Sequence, residues 1–379
     1  MNIFISIVFG FRNRDLTRVK RCLDSLKKQR KQNFEVVFVD YGSDTETANQ
    51  AEKLVQSYDF NYIYSDSRFT FWSRSKALNI GIANAKGEFI VTSDIDAIFS
   101  DNFTEVISKR VQPEKFFCSQ CFHLPENFDA YDDIRKYSGS FLKSGPTEMG
   151  IGLVVLKEKL QQIHGFEEYY QIWGVEDLDI KKRLESSGLE MEYITVEECQ
   201  IYHQWHPVVS HKNKLLTPTG WYETMWNYHS NNSSVVRNPD GWGKIKTSAD
   251  RPVLAFLENK ERIQTFPFVF PKFKSVNDFY HQFNALNTGE AIQVEFKEKH
   301  IPGDKPGISS KILKLVNVNL QKLRKTHQLV NTEISDTNYI NTSEVRDFLF
   351  YFIVNNKSSI KDYYFESNEF SLKVLIVKS

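Results

Sequence analysis

Three carboxylates, Glu176, Asp177 and Asp179, stand within four positions of the stretch "YYQIWGVEDLDIKKRL" (169–184), directly after Trp173-Gly174. A carboxylate beside an indole can do sugar chemistry: the carboxylate takes the proton of an attacking hydroxyl, and the ring offers a flat apolar face to a pyranose. The same acids also suit the first turn of a helix "EDLDIKKRLESSG", where the helix dipole favours negative charge by about 0.3–1 kcal/mol each. Taken alone, the stretch leaves both readings open.

A second acidic pair, Asp94 and Asp96, flanks Ile95 in "SDID". Alternate residues of an extended segment emerge on one side, so two carboxylates could converge on a hard divalent cation that also holds diphosphate oxygens. A turn stabilised by Asp side chains is the plainer alternative. His203 closes "CQIYH" and His206 follows three residues later; either could add a nitrogen ligand, a mixture that a borderline metal such as Mn²⁺ tolerates. His203 is favoured because it ends a strand, as the aspartates do, with His206 as the alternative. Cys118 and Cys121 form Cys-x-x-Cys without a second ligand pair at zinc-finger spacing, so they read as buried thiols. No phosphate-binding Gly-x-x-x-x-Gly-Lys loop, no Gly-x-Gly-x-x-Gly after the first apolar run and no Gly-x-Ser-x-Gly elbow is present, which argues against kinase-like, dehydrogenase and hydrolase readings.

These residues need a scaffold that brings distant segments to one edge. "IFISIVF" (3–9), "FEVVFVD" (34–40), "FNYIYS" (60–65) and "EFIVTSD" (88–94) are short, apolar and rich in β-branched or aromatic residues, and read as buried strands. Between the first two, Leu16, Val19, Leu23 and Leu26 keep helical spacing while Lys20, Arg21, Lys27, Lys28 and Arg30 face away. Helical patterns also fill 45–57 and 73–85. This βαβαβαβ order predicts an α/β domain with a mostly parallel, doubly wound sheet, whose ligand crevice lies beyond the carboxyl ends of the strands. "GFRNR", "DYGSD" and "SDID" all fall there. The Trp-rich, irregular 206–251 segment reads as a flap, and the texture changes near Pro252. The expected division is therefore a domain over 1–252 and a smaller C-terminal α/β appendage over 253–379, with a helix around "SEVRDFLFYFIVNN" and strands in "DYYFES" and "FSLKVLIVKS".

At 379 residues the chain exceeds one comfortable core. Lys+Arg and Asp+Glu are both 48, so there is no net field to recruit nucleic acid. Four cysteines do not look like a disulfide framework, and "MNIFISIVFGFRNR" has only a strand-length apolar run. A cytoplasmic protein is the expectation, with membrane contact only peripheral, through a surface or partner.

The ordered motifs resemble inverting glycosyltransferases with the GT-A fold. "VVFVDYGSD" followed by "RSKALNIGIANAKGEFIVTSDID" is similar to the family-2 group, with Tyr41 where an Asp is common; "FRNR", "FWSRSKALNIG", "SDID" and "GFEEYYQIWGVEDLDI" are similar to the β-1,4-galactosyltransferase group and related chondroitin-type synthases. The resemblance covers about residues 3–206. It implies that Phe11, Arg12 and Arg14 line the nucleotide site, that Asp40 contacts uracil, and that Arg74 lies on the UDP side. It further implies that Asp96, supported by Asp94, binds the metal together with His203. Asp177 would be the catalytic base, Glu176 a sugar contact, and Trp173 a wall of the sugar pocket, leaving Asp179 as an ordinary first-turn charge. Met149 matches a position where galactose-specific relatives carry Tyr, which implies room for an N-acetyl group. The expected reaction moves a sugar from UDP-GalNAc, UDP-GlcNAc or UDP-Gal to a hydroxyl of a glycan or lipid-linked glycan with Mn²⁺ or Mg²⁺, in bacterial capsule or lipopolysaccharide synthesis. A sugar-nucleotide pyrophosphorylase and an inactive glycan-binding or UDP-sugar-binding module are the rivals.

Overall fold

Each of the four apolar runs forms a strand, and each helical pattern between them a helix: β1 (Ile5–Phe11), α1 (Leu16–Lys27), β2 (Phe34–Asp40), α2 (Thr45–Gln56), β3 (Asn61–Tyr64), α3 (Arg74–Asn84) and β4 (Phe89–Asp94). The structure is a computed structural model that describes residues 5–144, 151–207, 217–259, 262–269, 272–298 and 340–379. The chain divides into two compact units, Met1–Asn259 and Lys260–Ser379. The division falls after the short helix Pro252–Glu258, which the first unit keeps.

The helices start where polar caps meet apolar periodicity. Asp15, Asp44 and Ser73 accept the orphan backbone N–H groups of Thr17, Thr47 and Lys76 at the starts of α1, α2 and α3. Helix α3 is buried along most of its length and lies directly on β1: a Cβ on Gly81 would sit 2.2 Å from Val8 Cγ1. Only glycine permits that approach.

After β4 the chain continues through β5 (Ala97–Phe99), α4 (Phe103–Arg110), β6 (Lys115–Ser119), β7 (Phe122–His123), β8 (Leu142–Lys143), β9 (Leu153–Leu156), α5 (Lys157–Gln162), α6 (Glu176–Ser186), β10 (Glu190–Ile194) and β11 (Ile201–His203). The main sheet runs β10-β6-β9-β4-β1-β2-β3 and is parallel except for β9, which is antiparallel to both β4 and β6. Register sets the functional edge: β1 places Phe11 opposite Asp40 of β2, and Gly10 opposite Asp94 of β4. A second sheet, β5-β11-β7-β8, stands next in the chain after that edge, and its antiparallel β5–β11 pair puts His203 opposite Ala97.

The described part of the expected flap is not loose. Trp221, which starts the helix Trp221–Asn231, is 1% exposed and donates Nε1–H to the Gln171 carbonyl at 2.9 Å. Farther on, the wholly buried Arg251 donates to the carbonyls of Asp66 and Arg68 at 2.7 and 3.0 Å. The buried Trp221 and Arg251 tie it to the loops around Gln171 and Asp66. In the second unit a sheet β12-β13-β15-β14 (Ile263–Thr265, Ala291–Lys297, Ser371–Lys378, Ile360–Ser367) accompanies the helices Lys272–Ala285 and Thr342–Asn355 around a phenylalanine cluster in which Phe279 meets Phe266 and Phe352 with ring centroids 5.3 and 5.0 Å apart. Among the described residues no helix is long and apolar enough to cross a membrane.

Candidate active site

Asp96, His203 and His206 each direct one ligand atom into a space where all three lie within 4.8 Å of one another. The β5–β11 pairing explains the convergence, because Asp96 directly precedes Ala97, which faces His203. His203 Nε2 stands 3.4 Å from Asp96 Oδ1, and His206 Nε2 stands 3.4 Å from Oδ2. Thus both histidines reach the aspartate, not one or the other. Burial would raise the Asp96 pKa, but the hydrogen bond and charge of His203, with the charges of His206 and Arg14, bring it down to about 2. Its Oδ1 is nevertheless buried, and the 3.4 Å approach of His203 Nε2 falls short of a well-formed hydrogen bond. One carboxylate and two imidazoles, with an orphaned oxygen between them, fit a borderline divalent cation such as Mn²⁺.

Asp94 is placed differently. Arg74, at the start of α3, donates Nε–H to Asp94 Oδ1 at 2.9 Å and an Nη1–H to Asp177 Oδ1, also at 2.9 Å. One largely buried guanidinium therefore joins the end of β4 to the start of α6. The expected supporting metal ligand is instead an arginine partner, and it lies outside the three-residue cluster. Burial would lower the Arg74 pKa, but Asp177, Asp94 and Glu176 raise it above its ordinary value. Burial raises the Asp177 carboxyl, with Asp94 adding to the rise and Arg74 opposing it. Glu176, 7% exposed, is pushed up to about 7 by burial and by the charge of Asp177. Two carboxyls with raised pKa, Asp177 29% exposed at its side chain and Glu176 buried, thus lie side by side at the first turn of α6.

The loop that leads into this turn is strained: Ile172, Gly174 and Val175 have φ of 69°, 107° and 73°. Its ties are Ile172 N–H to the Trp72 carbonyl at 2.7 Å and the Trp221 indole to Gln171. Trp173, between the strained residues, is 59% exposed.

The nucleotide-side expectations separate into walls and open groups. Phe11 does not open onto the site; its ring is wholly buried and packs tilted against Phe38, with centroids 5.0 Å apart. Arg12 spends its guanidinium on the backbone carbonyls of Tyr41, Thr70 and Ser67 at 2.5, 2.8 and 2.7 Å, and lies over the rings of Tyr41 and Trp72. Asp40 is fully buried, accepting from Ser43 N–H at 2.8 Å and Tyr62 O–H at 2.9 Å, and burial raises its pKa. Both residues are thus spent on partners within the protein. Arg14 is only partly buried, and its charge reaches Asp96. Met149 lies outside the described residues.

Two functional supports were not anticipated. Gln204 is fully buried; its backbone N–H and Nε2 both donate to the Asp96 carbonyl at 3.1 Å, and Nε2 also donates to the Arg18 carbonyl at 3.0 Å. Asp179, expected as an ordinary first-turn charge, is 1% exposed and forms a buried hub: Arg183 Nε at 2.7 Å, Tyr170 O–H at 3.2 Å, and Arg237 Nη2 at 3.6 Å. Its i,i+4 spacing to Arg183 was a readable signal; Arg237, far along the chain, was not.

Residues 6–157 match the model for glycosyl transferase family 2, and residues 140–207 match that for the N-terminal domain of galactosyltransferase. Glycosyltransferase GlyG of Streptococcus pneumoniae is 29% identical over 113 residues, 30% of this chain and 36% of that protein. Human chondroitin sulfate synthase 3 is 23% identical over 229 residues, 56% of this chain and 25% of that protein. The matches thus span about a third and a quarter of those relatives' lengths. Among solved structures, Staphylococcus aureus TarS 1–349 in complex with UDP-GlcNAc aligns with TM-score 0.46 and 14% identity, over 61% of this chain and 68% of that one. The mannosyltransferase PcManGT of Pyrobaculum calidifontis, in complex with GDP-Man and Mn²⁺, aligns with TM-score 0.44 and 13% identity, over 93% and 86%. The two family models overlap at residues 140–157 and together span residues 6–207, so this part of the chain, with its largely parallel sheet, is a family-2-like glycosyltransferase domain of the GT-A kind.

Proposed function

We propose that the first unit is a metal-dependent inverting transferase that moves one sugar from UDP-GalNAc, UDP-GlcNAc or UDP-Gal to a hydroxyl of a glycan or lipid-linked glycan, on the cytoplasmic side of bacterial surface-polysaccharide synthesis. The observation that carries this reading is the bridge Asp94–Arg74–Asp177, which ties the prospective base to the strand end that also carries the cation cluster.

In the proposed step, Asp177 accepts the proton of the acceptor hydroxyl as that oxygen bonds to the anomeric carbon. The bond from that carbon to UDP breaks on the opposite face, and UDP leaves with the electron pair. Glu176, whose carboxyl is raised by burial and by the charge of Asp177, contacts a sugar oxygen and donates a hydrogen bond to it in its protonated form. Arg74 orients Asp177, and Arg14 offers positive charge on the diphosphate side. A cation bound by Asp96, His203 and His206 would offset the charge gathering on the diphosphate. Arg12 and Asp40 keep the nucleotide crevice in shape.

The test is release of UDP from a panel of UDP-Gal, UDP-GalNAc, UDP-Glc, UDP-GlcNAc and UDP-GlcA, with Mn²⁺ or with chelator, over diverse glycan acceptors. Metal-dependent turnover of one donor is expected, and its absence for all of them sinks the reading. Asp177→Asn should lower transfer by at least about a thousandfold, the upper part of what positioned bases contribute, while leaving UDP binding largely intact. Loss of UDP binding in a folded Asp177→Asn variant would remove that residue from its role.

A further inference from the structure

We propose that Tyr222 completes, with Trp173, a two-ring platform that receives the terminal pyranose of the acceptor, so that a helix beyond the family matches helps to choose the acceptor. The proposal rests on the reading of Asp177 as the base. The family match ends at residue 207, and Tyr222 comes from the helix Trp221–Asn231.

Most large aromatics of the first unit are buried or partly covered, yet Trp173 is 59% and Tyr222 is 44% exposed. Their rings are stacked, 17° apart in plane with centroids 6.4 Å apart, so two exposed aromatic side chains form one unit. Trp226 stands at 80° to Tyr222 and bounds that unit. The pair is built, not incidental. Tyr222 packs onto the bare Cα of Gly174, where a Cβ would come within 3.2 Å of its Cε2. Trp221, immediately before it, locks the helix by its buried indole. Trp173 is held outward by a loop with left-handed Ile172 and Val175, a conformation that costs energy and persists where a site over-determines it. Four residues after Trp173 comes Asp177.

A pyranose has a face of C–H bonds and a rim of hydroxyls. Exposed parallel rings take the face, while the rim stays open to water and to a base at its edge. The acceptor class is therefore a saccharide whose terminal ring presents an uninterrupted face of axial hydrogens. Rigid aromatic anchors of this kind carry a large share of the affinity where they occur, and losing one should weaken binding about tenfold.

Saturation-transfer NMR on the full chain, with methyl β-glucoside, methyl β-galactoside and methyl N-acetyl-β-glucosaminide as probes, tests this. Transfer to the face protons of at least one probe is expected in the wild type. It should fall about tenfold in Tyr222→Ala and Trp173→Ala, and return in Tyr222→Phe. Equal transfer in wild type and Tyr222→Ala would overturn the proposal. So would equal loss in Tyr222→Phe, or no transfer from any probe. Wild-type UDP release reads the transferase assignment separately: release without transfer defeats the platform alone, and transfer without release defeats the assignment alone.

Discussion

Replacing Glu176 by glutamine keeps the shape of the side chain and removes its proton equilibrium, which makes it a direct probe of the charge arrangement around Arg74. Glu176 is 7% exposed and titrates near 7 instead of its ordinary 4.5, because burial and the charge of Asp177 disfavour its ionised form. Below about pH 4.5 the folded and unfolded chains both hold the proton. Between there and about 7 the unfolded chain releases it and the folded chain keeps it. Stability therefore falls as pH rises through that window and levels off above it. At about 1.4 kcal/mol per tenfold change, the whole effect is on the order of 3 kcal/mol. Glutamine has no such linkage, so the stability difference between Glu176→Gln and wild type should grow by that order from about pH 5 to about pH 8. All six tryptophans, Trp72, Trp173, Trp205, Trp221, Trp226 and Trp242, precede residue 260, so urea unfolding followed by tryptophan fluorescence reports the first unit. In an Asp177→Asn background the window should narrow, because a neighbouring charge that raises Glu176 is gone. Parallel pH profiles for Glu176→Gln and wild type would refute the reasoning.

Gln204→Leu removes the side-chain amide that holds the Asp96 carbonyl and should weaken Mn²⁺ binding, followed by electron paramagnetic resonance, by about 10- to 100-fold, as losses behind metal ligands do; unchanged affinity would make Gln204 a packing residue only. Arg183→Met strands the Asp179 carboxylate in a site where it is 1% exposed and should cost about 3–5 kcal/mol in urea unfolding; a cost below about 1 kcal/mol would mean that Arg237 alone suffices as its partner.

Why some of this was legible in the sequence and some was not follows from the range of the interactions. The strands and the helices α1 to α3 were readable because periodicity is local, and the convergence of "FRNR", "DYGSD" and "SDID" because parallel strands end at one edge. The misplacement of Phe11 was avoidable: it shares parity along β1 with Ile5, Ile7 and Phe9, which all enter one core cluster, so alternation already turned its ring inward. Arg12 was harder, since its acceptors are backbone carbonyls of the loops after β2 and β3, and a carbonyl leaves no mark in the sequence. The meeting of both histidines with Asp96 depends on an antiparallel pairing of two three-residue strands, too short for any pattern to announce. Asp179 shows the limit most clearly. The same letter in the same first turn reads as a solvated charge until Arg183, Tyr170 and Arg237 arrive around it from three segments.

The charge balance at Arg74 links these observations. One guanidinium serves two carboxylates, Asp94 and Asp177, at 2.9 Å each, so the pair already carries one negative charge more than its partner can offset. Glu176, buried beside Asp177, would bring a third negative charge to the same guanidinium, and in a poorly solvated pocket that state is disfavoured. Its pKa therefore rises. The raised pKa of Glu176 is thus first a consequence of burial and then of the charge of Asp177, against which the shared Arg74 works only in part. Burial raises both acids, and Arg74 opposes the rise in each while hydrogen-bonding Asp177, so the two adjacent carboxyls stand in unlike environments.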